Sequence, residues 1–305
     1  MINVRHLAVF RAVVKTGSVS AAARLLAVSQ PAVTKTLQQI EWEIGVPLFR
    51  RMKGRLQPTP ESALLIPKVS QVFSAIEDLE RLAAEISGGN VGHVSVATVS
   101  TLGASIVASA IQKYRKRRPQ AVINVRALAT REVVEDVANN QVDIGVADGA
   151  TMEGTLETEP LCRAFIGAVI SKRHRLAKKS VIQMEDLAGE KIIAFSEHTI
   201  TGMELRHRLD KLKPPTKVDI SVNQSVIACT LINSGLGVGL IDPFTALSGI
   251  FPNLKVTKLE PEIENQPRLI FPPNRPASIA ASEFIQIVRE TFGEYVSQSP
   301  LLRSL

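Results

Sequence analysis

A chain of 305 residues exceeds what one ordinary core organises, so two folding units are expected. With 45% hydrophobic residues and ordinary glycine and proline levels it is globular, not disordered or fibrous, and no run approaches the roughly 18 uninterrupted apolar residues of a membrane span. The formal net charge is +7, all of it within residues 1–58, where Arg5, Arg11, Lys15, Arg24, Lys35, Arg50, Arg51, Lys53 and Arg55 face only Glu41 and Glu43; the rest of the chain is balanced. A small basic module joined to a neutral body fits polyanion binding at one end.

The segment Met1–His6 carries charge where a secretory leader needs apolar residues. No signal peptide is expected, and the chain reads as cytoplasmic. Cys162 and Cys229 lie among apolar neighbours without a Cys or His at ligand spacing. Buried reduced thiols are the expectation, a redox pair the alternative, and no metal site is expected.

Leu7, Ala8, Phe10, Val13 and Val14 form a helical face that stops before Gly17, and Ser18 can cap a short helix over Ser20–Leu26. After Ala27-Val28, Ser29 caps a third helix with Pro31 in its first turn, running to about Ile44. Its expected inward face is Ala32, Val33, Leu37, Ile40 and Ile44, which leaves Gln30, Thr34, Lys35 and Gln38 outside. Those side chains suit the major groove: Gln pairs with adenine edges, Thr reaches bases or methyls, and the helix end attracts phosphate. Gly45-Val46-Pro47-Leu48-Phe49 stops the helix, and Arg50–Leu56 reads as a hairpin with a basic tip, a wing for the DNA backbone or minor groove. The candidate DNA contacts are therefore Ser29, Gln30, Pro31, Thr34, Lys35, Gln38, Arg50, Arg51 and Arg55.

Ala21-Ala22-Ala23 followed by Leu25-Leu26, Ser29-Gln30-Pro31-Ala32-Val33-Thr34, Ile40-Glu41, and Gly45-x-Pro47-Leu48-Phe49-x-Arg51 together resemble the LysR-type transcriptional regulators. One departure is Gln57-Pro58-Thr59-Pro60-Glu61-Ser62, where the family usually has Leu-Thr-x-x-Gly after the wing. The resemblance implies a winged helix-turn-helix over 1–58, a linker and dimerisation helix over 59–89 and an effector-binding domain over 90–305. It also implies double-stranded operator DNA and a small-molecule effector as partners, a homodimer or homotetramer, and RNA polymerase as a further candidate partner, with no cofactor and no membrane.

Thr59-Pro60 makes a cap and a first helical residue, and Ala63, Leu64, Val69, Val72, Phe73, Ile76, Leu79, Leu82, Ala83 and Ile86 form a stripe that ends at Gly88-Gly89. A stripe on a solitary helix calls for a second copy, and Pro67 within it should bend or locally break the helix. From His93 the pattern becomes α/β: strands over Val94–Val99, Val122–Leu128, Asp143–Ala147, Ala164–Ile170, Lys191–Phe195, Val218–Val222 and Gly237–Ile241, with helices between, one from about Leu102 to Arg117. Such sheets bind ligands beyond their C-terminal strand ends. The exits there supply Ser100, Thr101, Thr130, Asp148, Ser196, His198 and Asn223 as candidate ligand residues. Ser100 and Thr101 hold an anion or merely cap their helix. Asp148 is assigned to function, Asp242 before Pro243 to a turn, and Ser234–Leu240 to a tight helix-to-strand turn.

The family resemblance implies that the effector domain is a two-lobed fold similar to periplasmic solute-binding proteins, lobe I about 90–163 and 266–305 and lobe II about 164–265. It is also similar to the branch responding to opines and basic amino acids, in which Asp148 would take an ammonium and Ser100 and Thr101 a carboxylate. No hydrolase, zincin, paired-metal or dinucleotide motif is present and the five histidines are scattered, so no catalytic residue is expected. A ligand-independent DNA-binding repressor or architectural protein is the other reading, and activator versus repressor stays open.

Overall fold

The computed structural model describes residues 2–52, 55–86, 92–148, 156–213, 215–273 and 275–305. They form two compact units, Met1–Ala83 and Ala84–Leu305.

The first unit begins with α1 (Val4–Thr16), whose N-cap Asn3 accepts from the His6 N–H and which ends at Gly17 with φ 63°. Ser18 caps α2 (Val19–Leu25) and Ser29 caps α3 (Gln30–Ile44), which Gly45 terminates at φ 84°. Strands β1 (Phe49–Met52) and β2 (Arg55–Pro58) pair antiparallel, with Arg51 opposite Leu56. The wing tip at Lys53-Gly54 lies outside the described residues, and of Arg55 only the backbone is described. Val9, Ala12 and Val13 of α1 pack on Ala22, Ala23, Val33 and Leu37. Ala32, expected inward, is exposed, because only one residue per turn of α3 reaches this small core.

Helix α4 (Pro60–Ile86) runs unbroken through Pro67, so the expected local break is absent. Thr59 caps it, its hydroxyl oxygen accepting from the Ser62 N–H at 3.3 Å. The expected stripe divides. Val69 is buried with Phe10, Ile40 and Leu48, joined by Leu65, Ile66 and Phe73. Part of the apolar face thus packs on the first unit itself, correcting the reading that it has no partner of its own, while Leu64, Val72 and Leu79 stay exposed. The end expected at Gly88-Gly89 lies outside the described residues.

The second unit opens with β3 (His93–Thr98), then α5 (Ser100–Leu102), which continues through a π-helical turn at Gly103–Val107 into α6 (Ala108–Arg117). There follow β4 (Val122–Ala127), α7 (Thr130–Ala138), β5 (Ile144–Asp148) and β6 (Glu157–Pro160). The chain crosses by β7 (Arg163–Phe165) into β8 (Gly167–Ser171), β9 (Val181–Gln183), β10 (Ile192–Phe195), α8 (Ile200–Asp210), β11 (Val218–Val222), α9 (Ser225–Asn233), β12 (Val238–Ile241), α10 (Phe244–Leu247) and β13 (Leu254–Glu260). It returns by β14 (Glu264–Asn265) to β15 (Pro267–Phe271), α11 (Ile279–Gln298) and β16 (Leu302–Arg303).

Two larger sheets result, ordered β4-β3-β5-β15-β6 and β11-β10-β12-β8-β13-β9, with a small sheet β14-β7-β16 at the crossing. Strands β3, β4 and β5 run parallel, as do β10, β11 and β12. The single strand expected over Ala164–Ile170 is two: Ile166 leaves β7 to accept no strand partner of the large sheet and instead donates its N–H to Ile263. At Gly167, the first residue of β8, the chain passes close to Leu301, whose side chain would lie 2.6 Å from an added Cβ. Within the expected turn over Ser234–Leu240, the chain turns at Ser234–Gly237 and enters β12 at Val238; a Cβ on Gly237 would stand 2.2 Å from the Lys191 carbonyl oxygen.

Besides the crossing strands, one helix joins the lobes. Helix α10 follows a strand of the second sheet, yet Phe244 is buried in the core of the first lobe, edge-to-face with Phe292 at 5.9 Å. Replacing Phe244 by Ala should lower the stability of the second unit by about 3–5 kcal/mol, measured by urea unfolding of the whole chain. A loss below about 1 kcal/mol would mean that this ring is no anchor.

Candidate functional site

Two sets of side chains stand apart from the cores. On the first unit, Pro31, Thr34, Lys35 and Gln38 are exposed along α3, beside exposed Arg50 and Arg51 of β1. Ser29 is occupied as the cap, its oxygen accepting from the Ala32 N–H at 3.4 Å, and Gln30 Oε1 accepts from the Ser20 hydroxyl at 3.1 Å. Thr34 donates back to the Gln30 carbonyl at 3.2 Å, leaving its oxygen lone pairs outward. The acidic side chains on α3 are engaged elsewhere. Glu41 accepts the Leu48 and Phe49 N–H groups at 2.7 and 3.2 Å, which fixes the turn from α3 into the wing, and Glu43 accepts from Gln39 at 3.2 Å. The outward face is left cationic and rich in donors, suited to phosphate and base edges.

On the second unit, the C-terminal ends of the parallel strands and the N-termini of the helices that follow them meet between the lobes. Thr101 at the start of α5 is 2.8 Å, hydroxyl to hydroxyl, from Ser225 at the start of α9. Both reach one carboxylate: Ser225 donates to Asp242 Oδ2 at 2.6 Å and Thr101 stands 3.4 Å from the same oxygen. Asp242 Oδ1 accepts the Phe244 N–H at 3.1 Å. The aspartate assigned to a turn therefore does cap the turn into α10, but its other oxygen closes a seam between the lobes. The Asp-Pro pair signalled the turn alone; nothing local in the sequence points to Ser225 or Thr101 as its partners.

Neither Ser100 nor Thr101 caps its helix, whose N-cap is Val99 without a side-chain hydrogen bond. Capping is thereby removed as their role. Ser100 is half-buried at the first turn of a helical run that continues to Arg117, with N–H groups that an α-helix leaves without internal partners. Across the end of the same sheet, Thr130 donates to the Asp148 carbonyl at 3.2 Å, and Asp148 Oδ2 accepts from Asn265 Nδ2 at 2.7 Å. Asn265 lies on the returning strand β14 and escaped the sequence reading because it is distant in the chain and far from any motif. Ser196, His198 and Asn223 stand at the ends of β10 and β11, linked by the Ser196 N–H donating to the Val222 carbonyl at 2.9 Å. His198 and Asn223 are exposed, and no hydrogen bond among the described residues ties them to the seam.

Burial pushes the Asp242 carboxyl up to about 6, and the nearby charge of Asp148 pushes the same way against the hydrogen bonds from Ser225, Phe244 and Thr101. Burial likewise raises Asp148, opposed by Asn265. Asp143 makes the contrast: at the opposite end of β5 it accepts from Ser95 N–H and Oγ, both at 2.7 Å, and pairs with Arg275 at 2.7 Å. The seam thus holds two interacting carboxyl groups with no cation among the causes of their shifts, whereas the structural aspartate has its arginine. Cys162 and Cys229 are buried and free, with thiols pushed up to about 12 by burial, so neither has the thiolate character of a reactive cysteine. Among the described residues, no helix is long and apolar enough to cross a membrane, and no cluster of His, Cys, Asp and Glu could hold a metal ion.

Residues 4–63 match the family of bacterial regulatory helix-turn-helix proteins of the lysR type, and residues 87–293 match the LysR substrate binding domain. The regulatory protein NocR of Agrobacterium fabrum is 30% identical over 284 residues, covering 93% of this chain and 95% of its own. The octopine catabolism/uptake operon regulatory protein OccR of Rhizobium meliloti is 27% identical over 246 residues, 80% of this chain and 81% of its own. Among solved structures, full-length CbnR complexed with its target DNA superposes with a TM-score of 0.71 at 17% identity, over 95% of this chain and 100% of that one.

Because its folded pKa is raised, Asp242 holds a proton in the native state that the unfolded chain has already released between about pH 4 and 6. Its contribution to stability therefore falls as pH rises through that window and is fully unfavourable above it. Asp242→Asn should flatten this slope and raise the stability of the second unit at neutral pH by on the order of 1–3 kcal/mol, measured by denaturation across pH. An unchanged pH profile would show that the carboxyl is not held protonated by its surroundings.

Proposed function

Because the chain belongs to the LysR family of DNA-binding transcriptional regulators, we propose that its regulatory signal enters at the seam between the lobes of the second unit and leaves through α3 and the wing of the first. The observation that carries this reading is the convergence of Ser100, Thr101, Ser225 and Asp242 from both lobes, with Asp148 beside them, where strands end and helices begin. Charge here rewards a ligand that carries both signs: Ser100 and the helix start suit a carboxylate, and Asp148 an ammonium or guanidinium. An amino acid or opine has that chemistry, and OccR, an octopine regulator by name, is among the relatives. Thr130, Ser196, His198 and Asn223 complete the rim of the site.

Base reading falls to Gln30, Thr34, Lys35 and Gln38, with Ser29 and Pro31 setting the helix start and Arg50, Arg51 and Arg55 on phosphates. The functional divisions are 1–58 for DNA, 59–89 for the linker and 90–305 for the effector, in lobes of about 90–163 with 266–305 and of 164–265. Leu64, Val72 and Leu79, left exposed on α4, supply the face on which a second copy packs, giving a homodimer or a pair of them as a tetramer. Such an assembly works in the cytoplasm on a roughly palindromic operator, with RNA polymerase the further partner of an activator. Effector binding alters DNA binding only if the ligand prefers one arrangement of the assembly over another.

Thermal-shift screening of the whole chain against amino acids, opines and other small carboxylates should give a saturable rise in Tm. Lys35→Ala should weaken operator binding in a gel-shift assay about tenfold, by roughly 1–2 kcal/mol. Ser100→Ala should leave operator binding intact and abolish the ligand response. No stabilising ligand, together with normal operator binding, would favour a ligand-independent regulator; a normal response in Ser100→Ala would remove that residue from the site.

A further inference from the structure

Trp42 is the only tryptophan in the chain, and it stands on α3 with 81% of its surface exposed. Its position on the helix is specific. Pro31, Lys35, Gln38 and Trp42 are spaced four, three and four residues apart, which at about 100° per residue confines them to an arc of roughly 60°. Trp42 therefore continues the stripe that reads DNA and does not belong to the face that packs on α1, where Val33, Leu37 and Ile40 are buried.

We propose that Trp42 contacts the DNA backbone at the edge of the groove that α3 enters. Along the helix it lies about 10 Å beyond Lys35, at 1.5 Å per residue. A helix whose first turns sit in a major groove roughly 12 Å wide meets the flanking sugar-phosphate wall at about that distance. Side chains on a helix lean toward its N-terminus, so the indole is inclined toward the turn of Gln38 and the groove. The ring offers a flat apolar face to deoxyribose and a single N–H donor to a phosphate oxygen. Charge favours the same occupant. Lys35 shares the stripe, while Glu41 is turned onto the Leu48 and Phe49 N–H groups and Glu43 is bonded to Gln39 on the flank, so no carboxylate of α3 stands between the indole and a phosphate. The contact is to the backbone and carries no base preference of its own, so its effect is a matter of register and affinity.

The sole tryptophan makes the test direct. With the full chain and a mixed-sequence DNA duplex at low salt, DNA binding followed separately by anisotropy of a labelled duplex should coincide with a change in tryptophan emission and a severalfold fall in its quenching by acrylamide. Trp42→Phe should weaken duplex binding about 3–10-fold through loss of one hydrogen bond, and Trp42→Ala about 10–30-fold through loss of the ring as well. Both should leave the salt dependence of binding unchanged because no charge is removed, whereas Arg51→Ala, which removes a phosphate contact, should lower that slope by about one. An exposed indole makes no core contact, so both variants retain the fold, and circular dichroism checks this. Full duplex binding with unaltered emission and quencher access overturns the proposal, as does unchanged affinity in Trp42→Ala. Protection that grows with protein concentration in the absence of DNA also overturns it, since a second copy would then be what covers the ring.

Discussion

The Asp242 carboxylate is shared by three elements that would otherwise be independent. One oxygen accepts from Ser225 at the start of α9 and faces Thr101 at the start of α5; the other holds the Phe244 N–H and so launches α10. Because α10 then buries Phe244 in the first lobe, a residue that the chain reaches from a strand of the second lobe becomes part of the first lobe's core. The lobes are consequently held by this insertion and by the hydrogen bonds to Thr101 as well as by the two crossings of the small sheet. Rotating one against the other must carry α10 with it or expose an aromatic side chain at a cost of about 2–3 kcal/mol. Small displacements within the seam are available to a ligand; wide opening is not free.

The basic unit illustrates a different economy. Its core is small, two clusters built on single turns of three helices, and it recruits Val69 and Phe73 of α4 to enlarge them. Arg11 lies over the Phe73 ring at 3.8 Å, so one of the basic side chains that give this unit its charge also helps to hold the linker helix on it. Lys35, Arg50 and Arg51 stay exposed, while the two acidic residues of α3 are bonded within the unit, Glu41 to the turn into the wing and Glu43 to Gln39. The same bonds that fix the angle between α3 and the wing leave the outer face without a compensating negative charge.

Legibility in the sequence followed the range of the interaction. Helix α3 was readable because its cap, its first-turn proline and its terminating glycine are local, and the strand ends of the second unit were readable because apolar runs stop at polar exits. Ala32 was misplaced because periodicity gives an angle and says nothing of how far a core extends. The Ala164–Ile170 run looked like one strand because its composition is uniform; what divides it is its pairing, Ala164 with Asn265 and Leu302 in the small sheet and Gly167 with Ile241 and Lys258 in the large one, all far along the chain. Asn265 was missed, and so was the seam role of Asp242 beyond its turn, for the same cause: each acquires a partner across the lobes, Asp148 in one case and Thr101 in the other. The LysR resemblance supplied the two-lobed arrangement that composition could not.

Electrostatics explains why these missed residues matter to the site. A buried carboxylate is tolerated when it is neutralised by a cation, hydrogen-bonded or protonated, and Asp143, Asp242 and Asp148 divide among those states. Asp143 has Arg275 and a full set of donors. Asp242 has donors but its pKa is raised to about 6, and Asp148, with the Asn265 amide and its own backbone N–H as donors, is raised by burial as well. At neutral pH the seam therefore carries negative charge that no cation among the described residues is seen to balance, in contrast to the ion pairs Lys113–Glu294, Arg117–Glu290 and Arg118–Glu283 that lace α6 to α11 elsewhere in the unit. Arrangements of this kind are characteristic of positions where a ligand, and not the fold, completes the charge balance. A ligand that supplied the cation would bind more tightly as pH rises through the Asp242 titration, since it would no longer have to displace a proton.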